Sequence, residues 1–314
     1  MSTANHRAKL GGMPKAMFWL GALTLISLPA CAADWSDTSI GWRYGTDFRE
    51  PYVNQQNGSA QNITKNIIDF QHTSGYKYGV NFFNVDLLMS NSSDPTNCPN
   101  FNCSGSAQEA YVVYRNNIEW SKVSPDRAVK LPGIKDLALT LGLDWNTKND
   151  AGYASKKRMW VWGPTLELDV PGYMNVSLLG LSESNAPCTT FPPGAVGYPP
   201  SGCYSRYSYK THAMLSSSWA IPIPVAGLPL SYEGYINYIA PKGTNEFGGP
   251  TATEINWDSE IMLDVGSLMG GSKGTFKVGF EYQYWRNKFG NDHSGGAGPG
   301  AYAKTSMIRV EYHF

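Results

Sequence analysis

The sequence predicts an all-β protein: a twelve-stranded antiparallel transmembrane β-barrel with long outer loops and short periplasmic turns. Three observations predict it. Apolar and polar residues alternate with period two over runs of ten or more residues, longer than the roughly five or six of a typical soluble strand. The apolar stripes end in Trp or Tyr, as at Trp35, Trp120, Trp145, Trp219 and Tyr312, the pattern of the aromatic girdles that flank a barrel's apolar band. Charged residues are only 16% of the 314, while Gly (33), Tyr (19) and Trp (10) are abundant; an ordinary soluble chain has about 25% charged residues. With 42% hydrophobic residues the chain is not disordered. Its 25 basic residues balance 25 acidic ones, which gives no global signal for nucleic acid.

The first element is a leader. Arg7, Lys9 and Lys15 precede the twelve-residue apolar run 17–28, and small residues follow at Ala30, Cys31, Ala32 and Ala33. That run is too short for a membrane-spanning helix, which needs roughly 18–20 apolar residues. It fits a secretory signal peptide over 1–33, cleaved after Ala32 or Ala33, with translation starting at Met1 or Met13. The mature chain, 34–314, is expected to be one barrel domain with 22 positive and 25 negative charges. It keeps four cysteines, Cys98, Cys103, Cys188 and Cys203. An even count in an exported chain suggests disulfides. Pairing 98–103 with 188–203 is one of three connectivities, favoured because each pair brackets a loop. Neither pair has zinc-site spacing, and no metal or cofactor is expected.

Strands are expected at 35–45, 62–72, 76–89, 108–120, 135–147, 156–169, 173–184, 206–220, 229–240, 252–264, 275–287 and 302–314. The fifth carries Leu137, Leu139, Leu141, Leu143 and Trp145 opposite Asp136, Thr140, Asp144 and Asn146. The eleventh sets Phe276, Val278, Phe280, Tyr282 and Tyr284 against Lys277, Glu281 and Gln283. The last sets Ile308, Val310, Tyr312 and Phe314 against Arg309, Glu311 and His313. At Phe82-Phe83 and around Leu178–Leu181 the phase slips, which suggests bulges or shifted boundaries. Twelve is an even number, as such barrels require. Links after odd strands are long and rich in Gly, Asn, Ser and Pro. Most links after even strands are tight, as at His72–Gly75 and Val170–Gly172, with 121–134 and 265–274 longer. That asymmetry puts the long loops, with both cysteine pairs, outside the cell.

If the apolar stripes face lipid, the alternate residues line the lumen. The path is expected to carry Arg43, Asp86, Tyr111, Arg115, Glu233, Tyr235, Trp285 and Arg309, among further polar residues such as Lys65, Asp69, Asp258 and Glu281. Barrels of about eight strands are filled by side chains and those of sixteen to eighteen hold open channels, so twelve points to a narrow pore. Tyr111, Tyr235 and Trp285 offer faces for stacking a planar base, and Asp86, Glu233 and Asn237 offer partners for sugar hydroxyls. Catalysis is not expected. His212 and Ser216 share a strand face, but four residues of strand span roughly 13 Å, beyond hydrogen-bond reach. There is no Gly-x-Ser-x-Gly or His-Glu-x-x-His motif.

The segments 40–51 (IGWRYGTDFREP), 74–86 (SGYKYGVNFFNVD), 276–285 (FKVGFEYQYW) and 309–314 (RVEYHF) resemble the Tsx-like family of nucleoside-specific channel-forming outer-membrane proteins. The resemblance implies passive, substrate-selective diffusion of nucleosides across a bacterial outer membrane. It also implies assembly through a C-terminal strand ending in an aromatic residue, here Phe314, read by the barrel-assembly machinery. The alternatives are a channel for another small solute, and a structural or surface-receptor barrel with a plugged lumen.

Overall fold

The computed structural model describes residues 33–53, 57–94, 106–129, 131–149, 153–189 and 202–314. The expected leader and the Cys98 and Cys103 pair lie outside the described residues. Twelve long strands run β1 (Trp35–Phe48), β2 (Ile63–Tyr76), β3 (Gly79–Ser90), β4 (Gln108–Glu119), β5 (Ile134–Asn149), β6 (Arg158–Leu168), β7 (Tyr173–Asn185), β8 (His212–Val225), β9 (Leu228–Ile239), β10 (Glu254–Asp264), β11 (Phe276–Arg286) and β12 (Tyr302–His313). Each pairs antiparallel with its sequence neighbours. β12 returns to β1, from Ser39 opposite His313 to Gly45 opposite Met307. The sheet is therefore a closed barrel, with every long strand paired on both sides. Strand lengths of 11 to 16 residues meet the roughly 9–11 that a tilted strand needs to cross a bilayer.

Burial identifies the two faces. Ile40, Leu141, Leu178, Leu215, Ile261, Phe280 and Ile308 are exposed on the outside. Arg43, Lys65, Asp69, Glu281 and Arg309 are buried inside. A soluble protein arranges these residue types the other way round. An apolar exterior on a closed sheet suits hydrocarbon, because every strand satisfies its backbone groups within the sheet.

The twelve expected strands are all present, with some boundaries moved. His72–Gly75 is not a turn: it lies within β2 and pairs with Asn81, Val80 and neighbours of β3, so the chain reverses at Lys77–Tyr78. Gly79 follows that reversal because a Cβ there would overlap the Asn117 carbonyl oxygen. The eighth strand starts later and runs on to Val225 through Pro222 and Pro224. Its pairing with β7 stops at Ala220, so both prolines sit where one edge is free. Residues Tyr207–Ser208 form a separate short bridge to β7.

Neither phase slip is a bulge. β3 pairs without a register shift on both sides, as does β7 with β8. The alternation blurs because the lumen carries apolar residues of its own. Val161, Leu179, Leu181 and Met214 pack in one inner cluster, and Phe48, Val53, Ile63, Ile67 and Met307 in another. The observed register shifts lie at Gly45/Phe48 and Ile134/Asp136.

The two longer even links hold short helical turns fixed by carboxylates. Asp136 accepts hydrogen bonds from the Ser121 backbone (3.2 Å) and hydroxyl (2.5 Å), and Asp264 from the backbone of Ser267 (3.0 Å) and Gly274 (2.7 Å). On the opposite rim, Tyr153–Ala154, Cys188–Thr189 and Gly202–Cys203 form a small sheet. The Cys188–Cys203 disulfide staples it, which is the local pairing expected for these two residues.

Candidate functional site

The lumen is built in layers because the period of two brings one polar residue of each strand to the inside at each level. At mid-height, β1, β2, β3, β10, β11 and β12 contribute a belt of charge. Arg43 reaches Asp86 at 2.5 Å, Glu281 at 3.3 Å and Asp69 at 3.4 Å, tying β1 to β3 and β11. Arg309 reaches Glu311 at 2.7 Å, Glu281 at 3.0 Å and Glu260 at 3.5 Å. Asp258 accepts a 2.8 Å bond from Gln283. Gly41 makes this packing possible, since a Cβ there would overlap the Asp69 carboxylate.

The facing wall supplies aromatic residues. Tyr111 donates to Asp144 at 3.1 Å. Arg115 pairs with Asp144 and also donates to the carbonyls of Tyr114 (2.9 Å) and Leu143 (3.2 Å). Tyr235 accepts from Asn256 at 3.2 Å and lies directly opposite Asp258 in register, as Tyr111 lies opposite Asp86. Asp69 and Glu281 are completely buried, whereas the Asp86, Arg115 and Glu233 side chains keep 19%, 21% and 20% of their surface. With Lys277 on β11, whose side chain keeps 19%, these are the more exposed members of the charged lining.

The mouth at the long-loop end carries a second charged layer. Glu50 pairs with Lys65 at 2.7 Å and Lys288 at 3.2 Å. Burial pushes the Glu50 carboxyl up, but Lys288 and Lys65 overcome this and hold it well below the usual carboxylate range. Glu183 pairs with Lys242 at 2.7 Å and Lys157 at 3.2 Å. Burial pulls the Lys242 and Lys288 ammonium groups below their ordinary value, only partly offset by Glu183 and Glu50. Phe289 lies between these groups. Its ring is 4.9 Å from Trp285, and Lys157, from the β6 side, stands 4.1 Å above it. Asn287 and Phe289 both have positive φ, 53° and 60°, so the chain leaves β11 in a bend that non-glycine residues rarely adopt.

Of the eight expected lining residues, the structure gathers Arg43, Asp86, Tyr111, Arg115, Tyr235 and Arg309 around the mid-lumen. Glu233 sits nearer the end that carries the short turns, paired with Lys277 at 3.2 Å. Trp285 belongs to the mouth, where its indole donates to Glu254 at 2.6 Å. Glu260 had a sequence signal, since it shares inward parity with Asp258. Glu50, Lys288 and Phe289 had none, because they come from loops where alternation says nothing. His212 and Ser216 face the lumen but bond elsewhere: His212 to the Lys210 carbonyl (2.9 Å) and Ser216 to Asn237 (2.7 Å).

The sequence matches no protein-family model and no curated protein. Among solved structures it is similar to the beta domain of the Bordetella autotransporter Brka, with 11% identity over 90% of this chain and 99% of that one and a TM-score of 0.40. It is similar to the translocator domain of autotransporter NalP from Neisseria meningitidis, with 10% identity over 89% and 88% and a TM-score of 0.43. It is also similar to KdgM porin, with 7% identity over 88% and 99% and a TM-score of 0.38. No activity is taken from these likenesses, and the barrel stands on its own strand pairing.

Proposed function

We propose that the barrel is a narrow, solute-selective diffusion channel of a bacterial outer membrane, and that nucleosides are the solutes it passes. One observation carries the reading. Two inward tyrosines stand beside charged groups, Tyr111 opposite Asp86 and bonded to Asp144, and Tyr235 opposite Asp258, with Arg43 on Asp86 and Arg115 on Asp144. A nucleoside has a flat base and a hydroxylated sugar. Aromatic surface accepts any base by stacking, while carboxylate and guanidinium groups share hydrogen bonds with the sugar. Trp285 and Phe289 at the mouth extend the aromatic surface outward. Flux would run down its gradient, with the residues acting as a passive selective path.

The test is single-channel conductance of the purified protein in a planar bilayer, titrated with adenosine, thymidine and a sugar as control. Small conductance blocked by nucleosides at concentrations where the sugar has no effect supports the reading. Tyr235→Ala and Trp285→Ala should then cut nucleoside flux far more than small-ion conductance. An open pore indifferent to all three solutes leaves a channel for another small solute. The complete burial of Asp69 and Glu281 favours a second reading, a plugged structural barrel, and electrical silence would select it.

A further inference from the structure

The mid-lumen belt is unbalanced in charge. Six carboxylates, those of Asp69, Asp86, Asp258, Glu260, Glu281 and Glu311, surround two guanidinium groups, those of Arg43 and Arg309. With all six ionised, the belt carries four negative charges that no belt arginine matches. A proton on His313, 3.2 Å from Glu311, would reduce the excess only to three. Lys277 does not change the balance, because it pairs with Glu233, a carboxylate outside the belt. At the mouth, by contrast, charges are closer to balance: Lys65 and Lys288 flank Glu50, Lys157 and Lys242 flank Glu183, Lys148 pairs with Asp94, and Glu254 accepts from Trp285.

The excess is concentrated on one wall. One oxygen from each of Asp258, Glu260 and Glu281 lies within 4.8 Å of the others. Both Glu281 oxygens are taken up by arginines, one by Arg43 and one by Arg309. Glu260 has a single contact to Arg309 at 3.5 Å. Oδ1 of Asp258 is buried and accepts no hydrogen bond at all. Fixed carboxylates inside a low-dielectric wall act over longer distances than the same groups on an exposed surface. Rings of Asp and Glu are a recurring device for selecting cations in pores.

We infer that the lumen selects by charge: it passes small cations and neutral solutes and holds back anions of similar size, with Asp258 and Glu260 setting the preference. This rests on the reading of the barrel as an open channel and adds a substrate class to it. A mobile cation in the lumen supplies the counter-charge that the belt lacks, whereas an anion meets uncompensated negative charge there. Arg43 and Arg309 do not reverse this, because each is already shared among three or more carboxylates.

The test is the reversal potential of the full-length mature protein in a planar bilayer under a potassium chloride gradient, at pH 7 and at pH 9. The expected result is a clear preference for potassium over chloride. Glu260→Gln should lower the permeability ratio by about fivefold, the scale of one unit charge acting at close range. Asp258→Asn provides a second variant should the first fold poorly, with folding checked by the heat-dependent gel shift of an intact barrel. Asp126→Asn, on an exposed periplasmic link, should leave the ratio unchanged. A reversal potential near zero, or one favouring chloride, in a protein that does conduct overturns the inference and leaves the channel reading intact. It would mean that protons already neutralise the belt. A protein that conducts nothing overturns both.

Discussion

Replacing Glu50 by Gln tests whether the outer mouth is held by a buried ion triad. Glu50, Lys65 and Lys288 are 6%, 2% and 4% exposed, and the one carboxylate serves both ammonium groups. Lys288 also donates to the Arg49 carbonyl at 3.0 Å, so the triad ties the residues after β1 to those after β11. Removing one partner from a buried pair costs about 3–5 kcal/mol, because a charge is left without compensation. Gln keeps an acceptor oxygen, so the expected loss lies near the lower end, about 3 kcal/mol. Urea unfolding of protein folded into lipid vesicles reads this, followed by tryptophan fluorescence. Proteolysis at 287–301 reads the local loosening. The pH dependence is a further check. Glu50 has a folded pKa held well below its ordinary value by Lys288 and Lys65 against the cost of burial. Its contribution is therefore complete above the unfolded value of about 4.3 and is lost only as pH falls through the lower folded value. The difference between wild type and E50Q should stay constant from pH 8 to pH 5 and shrink below that. A difference under about 1 kcal/mol, or one that fades between pH 7 and pH 5, would refute the reasoning.

Three further outcomes follow from the fold. Leu141→Arg places a charge on the exposed apolar face of β5 and should cost about 2–4 kcal/mol of folding free energy in lipid if that face meets the bilayer midplane. Unchanged folding yield into vesicles would remove the lipid face from this wall. Cys188→Ser opens a staple between residues 15 apart in sequence, a closure worth about 3 kcal/mol of chain entropy. The variant should therefore unfold at a lower urea concentration, and an unchanged midpoint would contradict a stapling role. Gly79→Ala must move either its own backbone or the Asn117 carbonyl, at a cost of about 1–3 kcal/mol. The same urea experiment measures it, and full tolerance would show that the β2–β3 reversal is looser than the pairing implies.

The barrel was legible in the sequence because a membrane inverts the usual pattern and makes it more regular. Leu137 to Trp145 alternate without a break because lipid requires apolar groups on one side, while Asp136, Thr140, Asp144 and Asn146 on the other side meet partners inside. Boundaries were less legible where the residues suit both strand and turn. His72-Thr-Ser-Gly75 has turn chemistry, yet it stays extended because β1 and β3 pair with it on both sides. The lumen was partly legible. Parity names Arg43, Asp86 and Arg309 as inward, but it does not say that Arg43 crosses from β1 to both β3 and β11, since that depends on barrel curvature and side-chain reach. Parity fails wherever the lumen is itself apolar, as at Leu179 and Leu181. It says nothing of Glu50, Lys288 or Phe289, which reach the mouth through loop conformation, with Phe289 in a backbone region its sequence neighbours do not advertise.

The distribution of burial gives the lumen a direction as well as a width. In a symmetric open pore the inward residues of every strand would retain similar exposure at their tips. Here Asp69 on β2, Glu281 on β11 and Thr305 on β12 retain none, because Arg43 and Arg309 fold against that wall and draw its carboxylates together. Asp86 on β3, Arg115 on β4 and Glu233 on β9 each keep about a fifth of their side-chain surface. Val161 on β6, Leu181 on β7 and Met214 on β8 are buried as well, so the exposed part of the charged lining is confined to a few side chains, among them Lys277 on β11 at 19%. The arginines narrow the lumen by bridging strands, and the carboxylates left over by that bridging set its charge. On the proposed charge-selective reading, width and selectivity come from the same residues, so a substitution at Arg43 changes both together, whereas one at Glu260, with its single long contact, changes charge with little effect on width.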